Sequence, residues 1–128
     1  MGEKNPGNLF YTKTHEWLRI EGEQIICGIT EHAQEILSDI TVIELPATGR
    51  KVKAGEPVAV IESAKSVSEV HVPITGEIQQ INEELKTRPG LINEDPFGKG
   101  WIFSLTAHEP VTPGMFMSAG EYTEYCQG

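Results

Sequence analysis

The chain has 128 residues, enough for one domain whose hydrophobic core needs no disulfide to hold it together. Its formal net charge of -9 opposes binding to nucleic acid and to anionic membrane surfaces, because both would repel it. The 13 glycines and 8 prolines favour many short strands joined by turns, so the composition predicts a mainly β domain.

Neither the cysteines nor the N-terminal segment contains a recognisable functional motif. Cys27 and Cys126 are too few for a disulfide framework or a metal motif, and Cys27 stands in an apolar strand as a predicted buried thiol. Residues 1–10 have neither an apolar signal segment nor an Arg-rich amphipathic pattern, and we expect a loose lead-in there. The start at Met1 without a presequence favours a bacterial cytoplasm.

The first half of the chain predicts three strands and one helix. The expected strands cover 15–20, 24–29 and 40–45, with a hairpin turn at 21–23 and Pro46 after the third. Thr30 is expected to cap a helix over Glu31–Leu37. Ala33, Ile36 and Leu37 have the spacing of a buried helical face.

The stretch from Val58 to Ile78 predicts a β-hairpin with Lys65 at its tip. An apolar run precedes the lysine, and its neighbours Ala64 and Ser66 are small. A lysine flanked by small residues at a hairpin tip holds its amine in solvent, which suits a point of covalent attachment. A second turn over 73–76 is expected to lead into a further strand.

The last third of the chain predicts a long ordered loop over 82–100 with a helical turn at 83–86, and then a strand over 101–105. Ser118 and Glu121 have the S-x-x-E spacing of a capping box, which predicts a helix toward Cys126 with Tyr122 and Tyr125 packed against the domain. The expected organisation is a lead-in (1–10), a central domain (11–106) and a connector with a C-terminal helix (107–128).

Motifs of enzyme chemistry are missing from the sequence. It contains no dinucleotide-binding glycine pattern, no phosphate-binding loop, no H-E-x-x-H and no nucleophile elbow. The four histidines show no metal-ligand spacing, so we expect neither a catalytic centre nor a metal. Trp17 and Trp101 are expected to be core residues.

Several motifs in order carry a resemblance to one family. Glu62 to Ser66 (ESAKS) frames the lysine, and VPITGE follows at 72–77. The other matching segments are THEW (14–17), GIT and HAQ (28–34), ELP (44–46), VKAGE (52–56), LINEDP (91–96), GW (100–101) and EY before Cys126 (121–126). Over roughly 11–126 the chain resembles the glycine cleavage system H protein family.

The resemblance implies a barrel-sandwich hybrid of the lipoyl/biotinyl-carrier type, with lipoic acid bound covalently to Lys65. It further implies that Glu62 and Gly76 are recognised by the modifying lipoyl ligase or transferase, and that Glu16 lines a cleft for the arm. The implied role is a non-catalytic shuttle for the aminomethyl group of glycine. The implied partners are a pyridoxal-phosphate glycine decarboxylase, a tetrahydrofolate-dependent aminomethyltransferase and a flavin (FAD) dihydrolipoamide dehydrogenase.

The sequence departs from the family pattern near the lysine and leaves other functions open. The family often has Val at the position of Ala64, Ala at those of Ser66 and Val67, and Gly at that of Ser38. One alternative is an H-like protein that relays lipoyl groups to other complexes. A biotinyl carrier is another, although Ala64 and Ser66 do not match the methionines usual beside a biotinyl lysine. The last is an interaction module without a cofactor.

Overall fold

A computed structural model describes residues 5–127, the side chain of Pro113 excepted. Nine strands form two sheets, which confirms the mainly β prediction. In chain order the strands are β1 (Phe10–Tyr11), β2 (Glu16–Glu21), β3 (Gln24–Ile29), β4 (Ile40–Glu44), β5 (Lys51–Val52), β6 (Pro57–Ser63), β7 (Val67–His71), β8 (Gly76–Ile81) and β9 (Phe103–Ala107). The helices are α1 (Glu31–Leu37), α2 (Leu91–Glu94) and α3 (Ala119–Gln127), with 3-10 turns at Glu83–Lys86 and Pro113–Met115.

The larger sheet has six strands in the order β1-β2-β3-β9-β8-β5, and the smaller has three in the order β4-β6-β7. Every strand pair is antiparallel. The β2–β3 hairpin turns at Gly22, whose φ of 64° lies in the left-handed region that glycine adopts without strain. The sheets are therefore built from hairpins and short connections, as the glycine and proline content predicted.

The main core lies between the two sheets. Ile25 and Leu105 from the larger sheet and Ile61 and Val70 from the smaller are all at most 1% exposed and belong to one apolar cluster. Burial of one such side chain is worth about 1.5–3 kcal/mol, so this cluster is what holds the two sheets together. Cys27 is fully buried in the same cluster, as predicted, and burial raises the pKa of its thiol well above the ordinary value.

Helix α1 begins as the sequence predicts. The Thr30 hydroxyl accepts a hydrogen bond from the Ala33 N–H at 3.2 Å, which satisfies one of the free donors of the first turn. The buried face is narrower than predicted, because Leu37 is 5% exposed whereas Ile36 is 58% exposed. A helix of two turns rests on the core through its C-terminal end, and Ile36 lies outside that contact.

A second apolar cluster joins the N-terminal segment to the C-terminal helix. The rings of Tyr11 and Tyr122 stack with centroids 4.8 Å apart, and both side chains are fully buried beside Trp17 and Leu9. Asn5 Nδ2 also donates to the Thr123 hydroxyl at 3.0 Å. The expectation of a loose lead-in is therefore wrong for residues 5–10, which pack on the domain.

The capping box of α3 forms as predicted. The Ser118 N–H donates to the Glu121 carboxylate at 2.9 Å, and the Glu121 N–H donates to the Ser118 hydroxyl at 3.3 Å. Tyr122 is the buried residue of this helix, while Tyr125 is 42% exposed and donates from its hydroxyl to the Lys13 carbonyl at 2.9 Å. The helix thus packs against the domain through both tyrosines.

The segment 82–100 contains the predicted helical turn and also α2, which the sequence did not indicate. The last strand begins at Phe103 and not at Trp101, because the Trp101 N–H bonds to the Gly98 carbonyl and its own carbonyl accepts from Asn82 Nδ2. Trp17 is a core residue as predicted, whereas Trp101 is partly buried at its edge. No helix within residues 5–127 combines the length and the apolar character that crossing a bilayer requires.

Candidate functional site

Lys65 lies in the turn that joins β6 and β7, with its side chain exposed. The turn is fixed by Ser63, whose hydroxyl accepts from the N–H groups of Lys65 and Ser66 at 3.3 and 3.1 Å. The backbone also closes from the Ser63 N–H to the Ser66 carbonyl at 2.9 Å. The hairpin therefore presents the lysine on an ordered turn and not on a loose loop.

The Lys65 ammonium forms no hydrogen bond or ion pair with any of residues 5–127. The carboxylate of Glu62, at the end of β6, is likewise unpaired within the same range. Glu62 lies opposite Val67, which is 66% exposed. The hairpin tip thus offers an amine, a carboxylate and an exposed apolar side chain to other molecules.

A cleft of about 520 Å³ opens at the other end of the same hairpin. Its walls come from the β1–β2 segment, from the end of β7 and from the segment that precedes α3. Its lining includes Thr12, Thr14, Glu16, His71, Met115 and Phe116. The cleft therefore combines polar groups from the sheets with apolar groups from the C-terminal segment.

Glu16 is a carboxylate buried in the wall of this cleft, with 1% of its surface exposed. Its Oε1 accepts from the Thr12 hydroxyl at 2.5 Å and from the Thr14 hydroxyl. Its Oε2 accepts from the His71 backbone N–H at 3.0 Å and lies 3.2 Å from His71 Nδ1. A buried carboxylate needs such partners, since an unpaired one would cost several kcal/mol.

When His71 Nδ1 carries its proton, these contacts use the full accepting capacity of Glu16, because a carboxylate offers about four lone-pair positions. The His71 ring also lies 4.0 Å from Glu69 through its Nε2, so one imidazole stands between two acidic side chains. A ligand that donates a hydrogen bond to Glu16 must therefore displace a donor. The movable donors are the Thr14 hydroxyl and the partly exposed His71 ring.

The structure brings the predicted site residues to three places. Lys65 and Glu62 share the hairpin tip, and Glu16 lies in the cleft at the far end of β7. The four steps along β7 from Val67 to His71 advance the chain by about 13 Å. The third place is β8, where Gly76 pairs with Val52 and Ala107 in the larger sheet.

Gly76 is held by close packing. A Cβ at this position would lie 2.2 Å from the Thr106 carbonyl oxygen and 2.8 Å from Leu105 Cδ1. No side chain fits there without movement of the backbone of β9. Packing alone therefore accounts for glycine at this position, and a role in recognition stays a prediction.

The sequence did not indicate Ser63, Thr12, Thr14 or His71 as site residues. The signal for Ser63 was a serine at the start of a short turn, which can bond the backbone two and three residues ahead. The signal for the two threonines was their spacing before Glu16. His71 carried no signal, because its contact with Glu16 joins positions 55 residues apart.

The fold and the site together define a class of protein. A two-sheet β domain with an exposed lysine on an ordered hairpin tip is the architecture of the lipoyl/biotinyl carrier domains, the barrel-sandwich hybrids. The comparisons with known proteins identify the family within this class. The family model described as "Glycine cleavage H-protein" matches residues 9–128.

Relatives support the same assignment over almost the whole chain. A glycine cleavage system H protein of Herpetosiphon aurantiacus is 48% identical over 122 residues, which cover 94% of this chain and 92% of the relative. One of Thermus thermophilus is 45% identical and covers 93% of both chains. One of Myxococcus xanthus is 41% identical and covers 99% of this chain and 98% of its own.

A solved structure agrees with the fold. The crystal structure of a glycine cleavage system H protein from Mycobacterium marinum superposes with a TM-score of 0.87 at 33% identity, over 96% of this chain and 99% of that one. The chain therefore belongs to the glycine cleavage H-protein family, and its role is that of a lipoyl carrier component of the glycine cleavage system. The predicted family and fold class are confirmed.

Proposed function

We propose that Lys65 is the residue that carries lipoic acid, through an amide on its ε-amine. Support comes from the exposed position of the side chain, its unpaired ammonium within residues 5–127, and the turn that Ser63 holds in place. An amine must be accessible and deprotonated on attack. Burial would block access, and an ion pair would favour the protonated form. The single observation on which the proposal depends is this ordered, unobstructed presentation.

The cleft around Glu16 is the proposed resting place of the arm. When bound, the lipoyl group supplies a dithiolane that is opened by reduction and carries the aminomethyl group of glycine. A lysine side chain with an amide-linked eight-carbon acyl chain extends roughly 12–15 Å from ordinary bond lengths. That reach is comparable to the advance of about 13 Å along β7 between the tip and His71.

The chain's own residues supply two functions in the cleft. Met115 and Phe116 provide apolar surface for the aliphatic part of an arm, and they exclude water from it. The Glu16 carboxylate offers a buried acceptor to an amino group, once Thr14 or the His71 ring yields its position. The amino group would replace the donor that moves away, so the buried carboxylate stays hydrogen-bonded with and without the arm in the cleft.

The proposed partners perform all of the chemistry, and this chain catalyses none of it. They are a pyridoxal-phosphate glycine decarboxylase, a tetrahydrofolate-dependent aminomethyltransferase and a flavin dihydrolipoamide dehydrogenase, and a lipoyl ligase or transferase modifies Lys65. A tethered group meets several active sites at high effective concentration without release, which is the advantage of a carrier. The net charge of -9 suits transient docking on basic surfaces. The bacterial relatives support a cytoplasmic location.

Glu62 and Gly76 are the proposed recognition residues for the modifying enzyme. The carboxylate of Glu62 is unpaired within residues 5–127 and stands near Lys65, so a basic residue of that enzyme can bind it. Replacement of Glu62 by Gln should slow lipoylation without a change in stability. The matched control is Glu44→Gln, which removes an exposed carboxylate from β4 of the same sheet.

Intact mass after co-expression with a lipoyl ligase and lipoate tests the attachment site. The parent chain should gain one lipoyl group and Lys65→Arg none, because a guanidinium does not form the amide. The matched control is Lys51→Arg, at an exposed lysine of β5 in the other sheet, which should be modified like the parent. Modification of Lys65→Arg at the parent level would contradict the proposed site.

Glycine-dependent bicarbonate exchange with a purified decarboxylase tests the carrier function. The lipoylated parent and Lys51→Arg should support exchange, and Lys65→Arg should not. A lipoylated parent that fails to support exchange, but transfers its lipoyl group to another acceptor domain, would favour the lipoyl relay instead. Addition of biotin and not lipoate at Lys65 would place the chain among biotinyl carriers.

A further inference from the structure

Three metal-ligating side chains from distant parts of the sequence meet on the side of the domain where α1 and α3 lie. His15 precedes β2, His32 is in the first turn of α1, and Cys126 is near the end of α3. One ligand atom from each lies within 4.8 Å of the other two, and all three residues are partly buried. Linear spacing predicted no metal site, because the fold alone brings these residues together.

A fourth polar residue, Asn5, shares a cavity with two of these three residues. A cavity of about 180 Å³ is lined by Asn5, His32, Thr123, Cys126 and Gln127. Asn5 is 8% exposed, and its Oδ1 has no hydrogen-bond partner within residues 5–127. A buried amide oxygen without a partner is costly. Because Asn5 lines the same cavity as His32 and Cys126, this oxygen is available to a bound ion.

The surroundings of His15 prepare its imidazole to act as a ligand. Its Nδ1 is 2.7 Å from the Tyr122 hydroxyl, which in turn lies 2.7 Å from the Thr30 hydroxyl. If Nδ1 carries the proton and donates a hydrogen bond to the Tyr122 hydroxyl, Nε2 is the nitrogen available to an ion. The hydroxyl then fixes the orientation of the ring, as hydrogen-bond partners of ligand histidines do in known metal sites.

We infer that His15, His32 and Cys126, with Asn5 Oδ1 as a fourth ligand, form a binding site for a zinc-type transition-metal ion. Two imidazoles and one thiolate are a ligand set that Zn²⁺ takes in tetrahedral geometry. Ligand atoms in such a site lie roughly 3.3–3.8 Å apart, so side-chain rotations must bring the three about one ångström closer than the limit of 4.8 Å. Binding releases the Cys126 thiol proton to solvent, because the thiolate is the ligand.

The position of the site gives a bound ion a structural consequence. It would connect the N-terminal segment, the start of β2, α1 and α3. These parts already meet through the Tyr11–Tyr122 stack, the ring contacts of His15 with His32 and Tyr125, and several hydrogen bonds. The residues next to His15 in sequence, Thr14 and Glu16, belong to the cleft wall. An ion at this site would therefore stabilise the C-terminal helix and the outer wall of the cleft.

Titration of the full-length chain with Co²⁺ and then Zn²⁺ tests the inference. The Lys65→Arg background is used, because a reduced lipoyl arm would itself offer two thiols to a metal. We expect one equivalent of Co²⁺, with a thiolate-to-cobalt charge-transfer band and the visible bands of a tetrahedral site. Zinc should displace the cobalt and raise the thermal midpoint of unfolding.

Two ligand variants and one control make the test specific. Cys126→Ser should lose the charge-transfer band and weaken metal binding more than roughly 100-fold. That loss exceeds the usual effect of changing a residue that only hydrogen-bonds to a metal ligand. Asn5→Ala should weaken binding by about tenfold and keep the band. His108→Gln, at an exposed histidine outside the cluster, should bind like the background chain.

The outcomes separate a site from a chance cluster. Absence of a one-to-one complex in the background chain would overturn the inference. An unchanged band in Cys126→Ser would also overturn it, since the thiolate would then belong to another residue. Without metal, Cys126→Ser should unfold at the same thermal midpoint as the background chain. With zinc, its midpoint should not rise. This pair of results is expected if Cys126 binds the metal and does not merely contribute to packing.

Discussion

The Glu16 carboxylate accepts the backbone N–H of His71 at 3.0 Å and lies 3.2 Å from the ring Nδ1 of the same residue. This contact joins the start of the larger sheet to the end of the hairpin that bears Lys65. It therefore connects the cleft to the hairpin whose tip carries Lys65. A change at Glu16 should act on the cleft without a direct effect on the hairpin tip.

Glu16→Gln should lower the stability of the protein. It should also weaken binding of the aminomethyl-carrying arm in the cleft, while the rate at which Lys65 is lipoylated stays unchanged. The amide keeps one acceptor oxygen, but its NH₂ group cannot accept from His71 or from the threonines, so a buried donor loses its partner. The expected loss is about 1–3 kcal/mol in the free energy of unfolding. Urea denaturation measures the loss, and glycine-dependent exchange should fall more than the rate of lipoylation.

The control for Glu16 is Glu21→Gln on the same strand. Glu21 is exposed and pairs with Arg19 at the surface. Glu21→Gln should therefore change the free energy of unfolding by no more than about 0.5 kcal/mol. Equal stability of Glu16→Gln and Glu21→Gln would mean that the buried hydrogen bonds contribute nothing. Equal rates of exchange would remove Glu16 from the proposed function.

How much of this structure the sequence could predict depends on the range of the interactions. Local signals gave correct results: the Thr30 cap, the Ser118–Glu121 box and the hairpin tip at Lys65 all depend on neighbours a few residues away. The prediction that Ile36 is buried was wrong, because helical spacing does not say how much of a two-turn helix touches the core. The contact of Glu16 with His71 and the histidine–cysteine cluster were missed because both join residues far apart in sequence.

Ser38 adopts a backbone conformation that suits glycine, the residue that the resemblance leads us to expect at this position. It ends α1 with φ 67° and ψ −150°, a region that glycine occupies and that costs other residues about 1–3 kcal/mol. Ser38→Gly should therefore stabilise the protein by roughly 1 kcal/mol, after the greater entropy of glycine in the unfolded chain is subtracted. A rise in the thermal midpoint of unfolding checks this.

Ser68→Gly is the matched control for Ser38. Ser68 lies inside β7 in ordinary strand conformation, so glycine there should destabilise by about 0.5–1 kcal/mol. The two substitutions should therefore shift the midpoint in opposite directions. A fall in both would show that the backbone at Ser38 carries no strain.

Gly76→Ala should destabilise the domain through a clash. The added methyl group would meet the Thr106 carbonyl oxygen at 2.2 Å, so β8 and β9 must separate locally at a cost on the order of 1–3 kcal/mol. Denaturation of Gly76→Ala against the parent measures it. Gly120→Ala, in α3 with no atom within 4 Å of the new methyl group, should gain up to about 1 kcal/mol.

Lipoylation of folded Gly76→Ala separates packing from recognition. If the ligase reads the turn before β8, the folded variant should be modified more slowly than the parent at a temperature where both are native. Gly120→Ala should be modified at the parent rate. A folded Gly76→Ala chain that is lipoylated as fast as the parent would leave packing as the whole reason for this glycine.

The stability of the protein should depend on pH in two separate steps. Burial and the nearby His32 lower the pKa of His15 below 6.5, so the unfolded chain binds the proton more tightly than the folded one. Its contribution is therefore complete above about pH 6.5 and is lost as the pH falls through the folded pKa. Hydrogen bonds to backbone N–H groups lower the pKa of Glu56 and Glu121 below 4.5, so their contribution is lost only in more acidic solution.

Thermal unfolding between about pH 7.5 and pH 2.5, with a chelator present, should show both steps for the parent. His15→Asn should remove the first step and keep the second. Asparagine is chosen because it tolerates the positive φ of 67° at this position better than other side chains. Glu121→Gln should instead weaken the acidic step and leave the step near neutrality intact. A profile of His15→Asn parallel to the parent from neutral pH downward would show that protonation of His15 does not destabilise the fold.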